Sequence, residues 1–372
     1  MAFLAQKTVM DQGDESKRMG SRIGRRLRES LERTGSVAVA GREPAAAAGP
    51  FGAAWVEARE FDEARRLQGE LLRRYRGRKL EEVLPGEEVR TGRGVCWRLV
   101  SRDGGRLRTV DPDTVRRGIL ADLKLLYGVG AVTEAALKRQ GLATIADLAD
   151  HPRFGRQARE ILRMVEADDT AELTDRIGRW FRKSHPLALL SSGFHSAEDF
   201  VFIDIETLGM FQRPIILLGL AQVQGTGIGV EQYLLRRIDE EPAALAGLLE
   251  RLGERRAFVT FNGRTFDIPY IRERLAYYGI RADLEGPHFD VLHFSRRAWR
   301  DCVPDCRLTT LERCFLGIER VNDVPSAMVP EFYECYMRTG NPGPLVPVVE
   351  HNRRDLLTLA SLFTKLHEEW RP

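Results

Sequence analysis

Two acidic residues, separated by a single position, are the first candidates for chemistry in this chain. Asp204 and Glu206 lie in the apolar stretch 200–206, whose composition predicts a β-strand. Because side chains alternate between the two faces of a strand, both carboxylates project from one face, and Ile203 and Ile205 pack on the other. Two carboxylates on one face repel each other unless a cation lies between them. The alternative is a solvated strand edge with two ordinary acids, so the triplet alone is a weak indication.

Further acidic residues occur at two later points. Asp267 follows an apolar strand and stands where a helix begins, a position that also suits a simple capping acid. His351 and Asp355 lie four positions apart near the start of the last predicted helix, so they share one face of it. They could be a surface pair, but the leucines that follow predict a packed helix. Beside such an apolar face an unpaired acid is costly.

Taken together, these residues resemble the motifs of the DEDD superfamily of 3′–5′ exonucleases, which have a ribonuclease-H-like fold. The first motif matches Asp204-Ile205-Glu206, and the second matches Asn262 followed by Phe266-Asp267. The third motif departs from the pattern. The family has either a tyrosine and an aspartate with three intervening residues (Tyr-x3-Asp) or a histidine and an aspartate with four intervening residues (His-x4-Asp), whereas here His351 and Asp355 are separated by three residues. The YprB-like branch has this form, and its resemblance covers about residues 196–370. The stretches that carry it are 204–208, 262–270, 306–311 and 351–355, with a weaker upstream similarity at 86–98.

This resemblance implies phosphodiester hydrolysis with two divalent cations, Mg²⁺ or Mn²⁺, which favour oxygen ligands. It implies that Asp204, Glu206, Asp267 and Asp355 are the metal ligands. It also places His351 beside the attacking water, where the ring would act either as a base or as a positioning group.

The same resemblance implies that Thr207, Asn262 and Phe266 hold the terminal nucleotide of the substrate. Asp290, in a short apolar stretch, is a rival for the fourth ligand position. Related exonucleases often carry a structural aspartate here, and we favour that interpretation.

A second resemblance lies upstream of the acidic motifs. Gly128 and Gly130 separate two predicted helical stretches, 119–127 and 133–140, as in a helix-hairpin-helix. In that motif the loop amides contact a phosphate regardless of base sequence. The sequence therefore predicts substrate contacts at both glycines, with a plain helical hairpin as the alternative.

Four segments follow from the composition and the hydrophobic pattern. Residues 1–50 predict a disordered, basic, low-complexity tail, and 51–118 predict a small α+β segment. Residues 119–195 predict a helical region that contains the helix-hairpin-helix-like element. Residues 196–372 predict three hairpin-linked strands and then alternating helices and strands, which is an α/β domain with a mixed sheet flanked by helices.

Composition excludes several classes of protein. No apolar run approaches the roughly 20 residues of a membrane span, and residues 1–10 do not form a secretion signal. Five cysteines thinly spread over 372 residues argue against a disulfide scaffold and for a cytoplasmic location. The spacing of Cys302, Cys306 and Cys314 fits no standard zinc finger.

Charge divides unevenly along the chain. Residues 1–199 carry 36 Lys and Arg against 30 Asp and Glu, whereas residues 200–372 carry 21 against 24. A mildly basic first half suits a backbone-holding role, and the acidic second half contains the predicted metal ligands.

The sequence thus predicts a metal-dependent 3′–5′ exonuclease for single-stranded DNA, in DNA repair or nucleic-acid processing. A strand-separating helicase is a plausible partner, because a single strand must reach the site. The alternatives are a catalytically inactive ribonuclease-H-like module that binds nucleic acid, and an exonuclease directed at RNA.

Overall fold

The computed structural model of the protein describes residues 58–210, 212–254 and 256–370. The tail predicted for residues 1–50 lies outside them. The chain divides into two compact units, and the larger one comprises residues 56–294 and 320–372. The described part of the smaller unit is residues 295–319, where Trp299 stacks on Phe315 with ring centroids 4.2 Å apart. No described helix combines the length and the apolar composition that crossing a bilayer requires.

A mixed sheet of seven strands forms the centre of the larger unit, in the order β1-β2-β5-β4-β3-β6-β7. The β3–β6 and β6–β7 pairs are parallel, and the other neighbours are antiparallel. The strands are β1 (Glu87–Thr91), β2 (Gly94–Asp103), β3 (Phe200–Thr207), β4 (Ile215–Gln224), β5 (Gly227–Leu234), β6 (Ala257–Thr260) and β7 (His288–Asp290).

Helices precede the sheet, connect its strands and follow it. They are α1 (Ala58–Arg74), α2 (Leu80–Val83), α3 (Pro112–Leu120), α4 (Ala131–Arg139), α5 (Gly155–Glu166), α6 (Thr170–Trp180), α7 (Pro186–Leu190), α8 (Glu241–Glu250), α9 (Asp267–Tyr277), α10 (Val291–Trp299), α11 (Leu308–Leu311), α12 (Val329–Thr339) and α13 (Leu345–Glu369). The helix that begins at Leu308 is α-helical only to Leu311 and continues as the π-helical turn Glu312–Leu316.

The central strand β3 is buried on both of its faces. Phe200 and Phe202 lie against Phe363 of α13, with ring centroids 5.1 and 6.2 Å apart. The alternate residues Val201, Ile203 and Ile205 belong to the main apolar cluster. A mixed sheet flanked by helices, as the sequence predicted, is therefore confirmed.

The β1–β2 hairpin extends this sheet, although the sequence predicted its strands only as part of a small upstream segment. β2 pairs antiparallel with β5, from Trp97 opposite Leu234 to Asp103 opposite Ile228. The Trp97 indole Nε1 donates a hydrogen bond to the Leu84 carbonyl at 3.1 Å, which fixes the hairpin against α2. A local pattern identifies strands but not a partner more than 120 residues away, and the pairing was therefore not predicted.

A buried ion pair joins β4 to the two helices α8 and α9. The side chains of Glu241 and Arg274 are 0% and 4% exposed, with Oε1 2.8 Å from Nε and Oε2 2.6 Å from Nη2. Glu241 also accepts hydrogen bonds from the Ile215 amide at 2.9 Å and the Tyr278 hydroxyl at 2.8 Å. Every carboxylate oxygen is thus satisfied, which makes burial of the charge tolerable.

Arg274→Met is expected to lower the free energy of unfolding by about 3–5 kcal/mol, because it leaves Glu241 buried without its charge partner. Urea unfolding monitored by circular dichroism measures the loss. The matched control is Arg237→Met, which removes an exposed pair with Asp239 (70% and 65% exposed) and should leave the free energy of unfolding almost unchanged, because water screens surface ion pairs. Equal losses in the two variants would contradict a structural role for the buried pair.

Acid stability should depend on His367, whose Nε2 lies 3.0 Å from the Ser192 hydroxyl. Burial lowers the pKa of His367 to about 4 from 6.5, so the folded state disfavours the protonated ring. Its contribution is intact above pH 6.5 and is lost as the pH falls towards 4. Relative to His367→Gln, the wild type should lose up to about 3 kcal/mol of unfolding free energy over that range. A difference between the two proteins that stays constant with pH would contradict this assignment.

Candidate functional site

The first two acidic motifs meet at β3. Asp204 and Glu206 occupy alternate positions of this strand and share a face, as predicted. Asp267 is the first residue of α9, and its Oδ1 accepts a hydrogen bond from the Ile205 amide at 3.1 Å. The second motif is thereby attached to the backbone between the two strand carboxylates.

The third motif lies on α13, which a fully buried asparagine attaches to the sheet. The Asn352 side-chain amide donates hydrogen bonds to the Asp204 carbonyl at 3.0 Å and to Asp204 Oδ2 at 2.7 Å. Its carbonyl Oδ1 accepts a hydrogen bond from Gln232 Nε2 at 2.7 Å. One side chain therefore connects β3, β5 and α13 and sets which face of the helix meets the carboxylates.

Gly219 makes this close approach possible. In the register of the sheet it pairs with Asp204 on one side and with Gln232 on the other, so Asn352 lies above the middle of the three strands. A Cβ atom on Gly219 would lie only 2.2 Å from Asn352 Oδ1. The sequence analysis assigned no role to these residues. A glycine inside the apolar run of β4 was the available indication, since such a glycine often marks a close approach.

His351, one residue before Asn352, points towards the carboxylates. Its Nδ1 lies 2.8 Å from Asp323 Oδ1, and its Nε2 lies 3.2 Å from the Ser326 hydroxyl. The same Nε2 is 3.7 Å from Asp355 Oδ2 and 3.9 Å from Glu206 Oε1. Asp323 thus orients the ring so that Nε2 faces the first and third motifs.

A buried arginine completes the charge arrangement. Arg320 Nη1 lies 3.1 Å from Asp323 Oδ2, and Nη2 contacts Asp355 Oδ1. Sequence reasoning did not identify Arg320, Asp323 or Ser326, which lie in a polar loop region without any recognised motif. Only their spatial proximity to α13 reveals them.

The carboxylates strongly perturb one another. Burial, followed by repulsion from Asp355, Glu206 and Asp267, raises the pKa of Asp204 well above its ordinary value. Burial likewise raises the pKa of Glu206 to about 8 and that of Asp267 to about 7. All four predicted ligands are therefore close enough to interact, in a buried region that disfavours ionising all of them at once.

His351 and Asp323 stabilise each other's charged forms, and their pKa values shift accordingly. Burial opposes the charged ring, but Asp355, the bond to Asp323 and Glu206 together raise the pKa of His351 to about 10. Burial also works against the charged form of Asp323, yet His351 and Arg320 lower its pKa to about 2. The pair is consequently ionic at neutral pH.

The chemistry of this donor set fits a hard divalent cation, because it offers several carboxyl oxygens whose joint ionisation a bound cation would favour. Within the described ranges, however, no three His, Cys, Asp or Glu side chains already form a group that could hold an ion. Asp204, Asp267 and Asp355 each direct an oxygen to a protein partner instead.

The loop before α9 contains two residues that were predicted to contact a nucleotide, Asn262 and Phe266. Asn262 has φ of +67°, and its amide donates to Asp290 Oδ1 at 2.8 Å, while the Arg264 amide donates to Oδ2 at 3.2 Å. The Leu292 amide adds a third bond to Asp290, at 3.2 Å. Both oxygens of Asp290 are thus engaged by backbone amides, in agreement with the structural interpretation.

Thr207 and Phe266 lie at the ends of elements that bear the acidic motifs. The Thr207 hydroxyl donates to the Gly209 carbonyl at 2.9 Å, at the end of β3. Phe266 immediately precedes α9, and its ring centroid lies 5.4 Å from that of Tyr270. Contact of either residue with a nucleotide stays a prediction.

The helix-hairpin-helix-like element places its glycines before α4. Gly128 has φ of +85°, and Gly130 directly precedes the helix. Lys138, on the same helix, bonds to Glu134 Oε1 at 3.0 Å and to the Ala121 carbonyl at 3.1 Å, so its ammonium group is already engaged. The predicted contacts of the glycines with nucleic acid stay untested.

Comparison with known proteins agrees with this arrangement. Residues 201–367 match a family model described as the RNase_H superfamily, and this range contains all four carboxylates. The uncharacterized protein YprB of Bacillus subtilis (strain 168) is 31% identical over 204 residues, which are 54% of this chain and 49% of that protein. The chain thus spans about half the length of this curated relative. The sheet, the helices and the matched range together establish a ribonuclease-H-like fold.

Proposed function

We propose that this protein is a metal-dependent 3′–5′ exonuclease that hydrolyses single-stranded DNA. One observation carries the proposal: four carboxylates from three separate motifs interact on the α13 side of β3, within a ribonuclease-H-like fold. Such a concentration of buried acids has no stabilising purpose, because like charges in a buried site repel. A pair of divalent cations would neutralise it.

The proposed chemistry assigns a task to each group. Asp204, Glu206, Asp267 and Asp355 would hold two cations, Mg²⁺ or Mn²⁺, which when bound activate water and stabilise the leaving oxygen. His351, oriented by Asp323, presents Nε2 to Glu206 and Asp355. At that position it would hold the attacking water through Nε2, and it would accept the proton there only once bound cations offset the carboxylates that raise the pKa of the ring.

The proposed substrate contacts fall into two groups, one for the terminal nucleotide and one for a phosphate farther along the strand. Thr207, Asn262 and Phe266 would contact the terminal nucleotide, and amides at Gly128 and Gly130 would contact a phosphate farther along the strand. Since this arrangement suits a free single strand, we propose a role in DNA repair or nucleic-acid processing, with a helicase as the class of partner that would supply the strand.

Asp204→Asn should reduce cleavage at least about 100-fold, the effect of losing about 3 kcal/mol at the transition state. The assay follows 5′-labelled single-stranded DNA with Mg²⁺, with Mn²⁺ or with chelator on a denaturing gel. Wild type should shorten the strand progressively from its 3′ end in either metal and be inactive with chelator. Asp239→Asn, an exposed acid outside the site, is the matched control and should retain activity.

The same assay separates the alternatives. Tight binding of intact DNA and RNA in every metal would overturn the proposal and favour an inactive binding module. Cleavage of RNA in preference to DNA would redirect the proposal to an RNA exonuclease.

Asn352 is expected to act as a positioning residue for Asp204. Asn352→Ala should weaken Mn²⁺ binding, measured by calorimetry, roughly 10- to 100-fold, as losses of groups that orient ligands do. Gly219→Ala should produce a similar loss, because its new methyl group displaces the Asn352 side chain.

A double-mutant cycle checks this link. In Gly219→Ala/Asn352→Ala the methyl group has room, so the double variant should bind Mn²⁺ no more weakly than Asn352→Ala alone. Simple addition of the two losses would show that Gly219 acts by another route.

A further inference from the structure

A second polar feature lies outside the carboxylate site. A cavity of about 240 Å³ is bounded by α6, by β7 and by the loop that precedes α9. This is roughly the liquid volume of eight water molecules, enough for a hydrated phosphate group. Its charged lining consists of Arg179, Lys183 and Arg264, with Asp175 as the only acid.

The positive charge of this cavity is largely uncompensated. On α6 the ion pair with Glu160 is made by Arg176, at 2.9 Å, and no ion pair of the described residues involves Arg179, Lys183 or Arg264. The Arg264 guanidinium donates a hydrogen bond to the His288 carbonyl. Burial lowers the pKa of Arg264, and only the more distant Asp290 and Asp175 oppose that effect. A partly buried cation of this kind is stabilised by an anion that enters the cavity.

We propose that this cavity is a binding site for a backbone phosphate of the single-stranded substrate. The inference rests on the proposed function and extends it to the path of the strand. Arg264 belongs to the loop that Asp290 holds, three residues before Asp267. The cavity and the carboxylate site therefore share one loop, and we place the phosphate site on the strand whose 3′ end occupies the carboxylate site.

An exposed aromatic pair identifies the source of the phosphate as a nucleic-acid strand. Trp180, next to Arg179, stacks on Tyr127 with ring centroids 5.0 Å apart, although the two residues are 45% and 65% exposed. Exposed aromatic faces beside basic groups are the usual platform on which unpaired bases stack. Free phosphate would not need such a platform.

Binding is tested with the full chain in the Asp204→Asn background, with chelator and a 5′-fluorescein-labelled single-stranded DNA, by fluorescence anisotropy. Arg179→Glu/Lys183→Glu should weaken binding roughly tenfold or more. Arg179→Ala should reduce the slope of log affinity against log salt by about 0.7, the value for one lost contact with a single strand. Trp180→Ala should weaken binding about fivefold or more.

A charge-matched control is Arg156→Glu/Arg237→Glu, which alters two exposed arginines that do not line the cavity. It should change the affinity less than twofold. Equal weakening by both double variants would overturn the proposal, because general surface charge would then explain the binding.

Inorganic phosphate distinguishes the two sources of the anion. Binding of millimolar inorganic phosphate that Arg179→Glu/Lys183→Glu abolishes, together with unchanged DNA affinity in that variant, would overturn the strand assignment. Weakened DNA binding in the cavity variants, with no cleavage by wild type in any metal, would support this site and refute only the proposed nuclease activity.

Discussion

The amide of Asn352 is the interaction on which the arrangement of the site depends. It donates to Asp204 on β3 and accepts from Gln232 on β5, and it spans the intervening strand only because that strand has Gly219 at this level. This contact fixes the rotation of α13 about its own axis. Because His351 precedes Asn352 directly, the same contact also determines where the imidazole points.

Electrostatic repulsion among the acids is the cost of this arrangement, and the surrounding structure offsets it. Arg320 and the His351 ring supply positive charge on the α13 side, and Asp323 holds both of them. The buried Glu241–Arg274 pair differs from these acids, because each of its charged oxygens has a partner. The molecule thus separates a well-compensated ion pair from a poorly compensated acidic cluster, as is typical of functional sites.

Local rules predicted much of the fold and of the site. Strand alternation placed Asp204 and Glu206 on one face, and the helix boundary placed Asp267 at the start of α9. The same rules could not predict Asp323, because its relation to His351 depends on a loop returning to α13. Nor could they predict the pairing of β2 with β5, which joins stretches that no local pattern connects.

The position of β3 within the sheet has a consequence for hydrogen exchange. Of the two edge strands, β7 has only three residues, and β1 is largely exposed and carries charged side chains that discourage pairing with other chains. β3, by contrast, pairs with β4 along Phe202–Thr207 and with β6 along Phe200–Phe202, and beyond β6 its Ile205 amide donates to Asp267 Oδ1. Its amides should therefore exchange with solvent more slowly than those of the edge strands, which open locally. The two strand carboxylates are thus carried by an inner strand, away from the edges that fluctuate first, and the Asp267 side chain takes the place of a strand neighbour beside them.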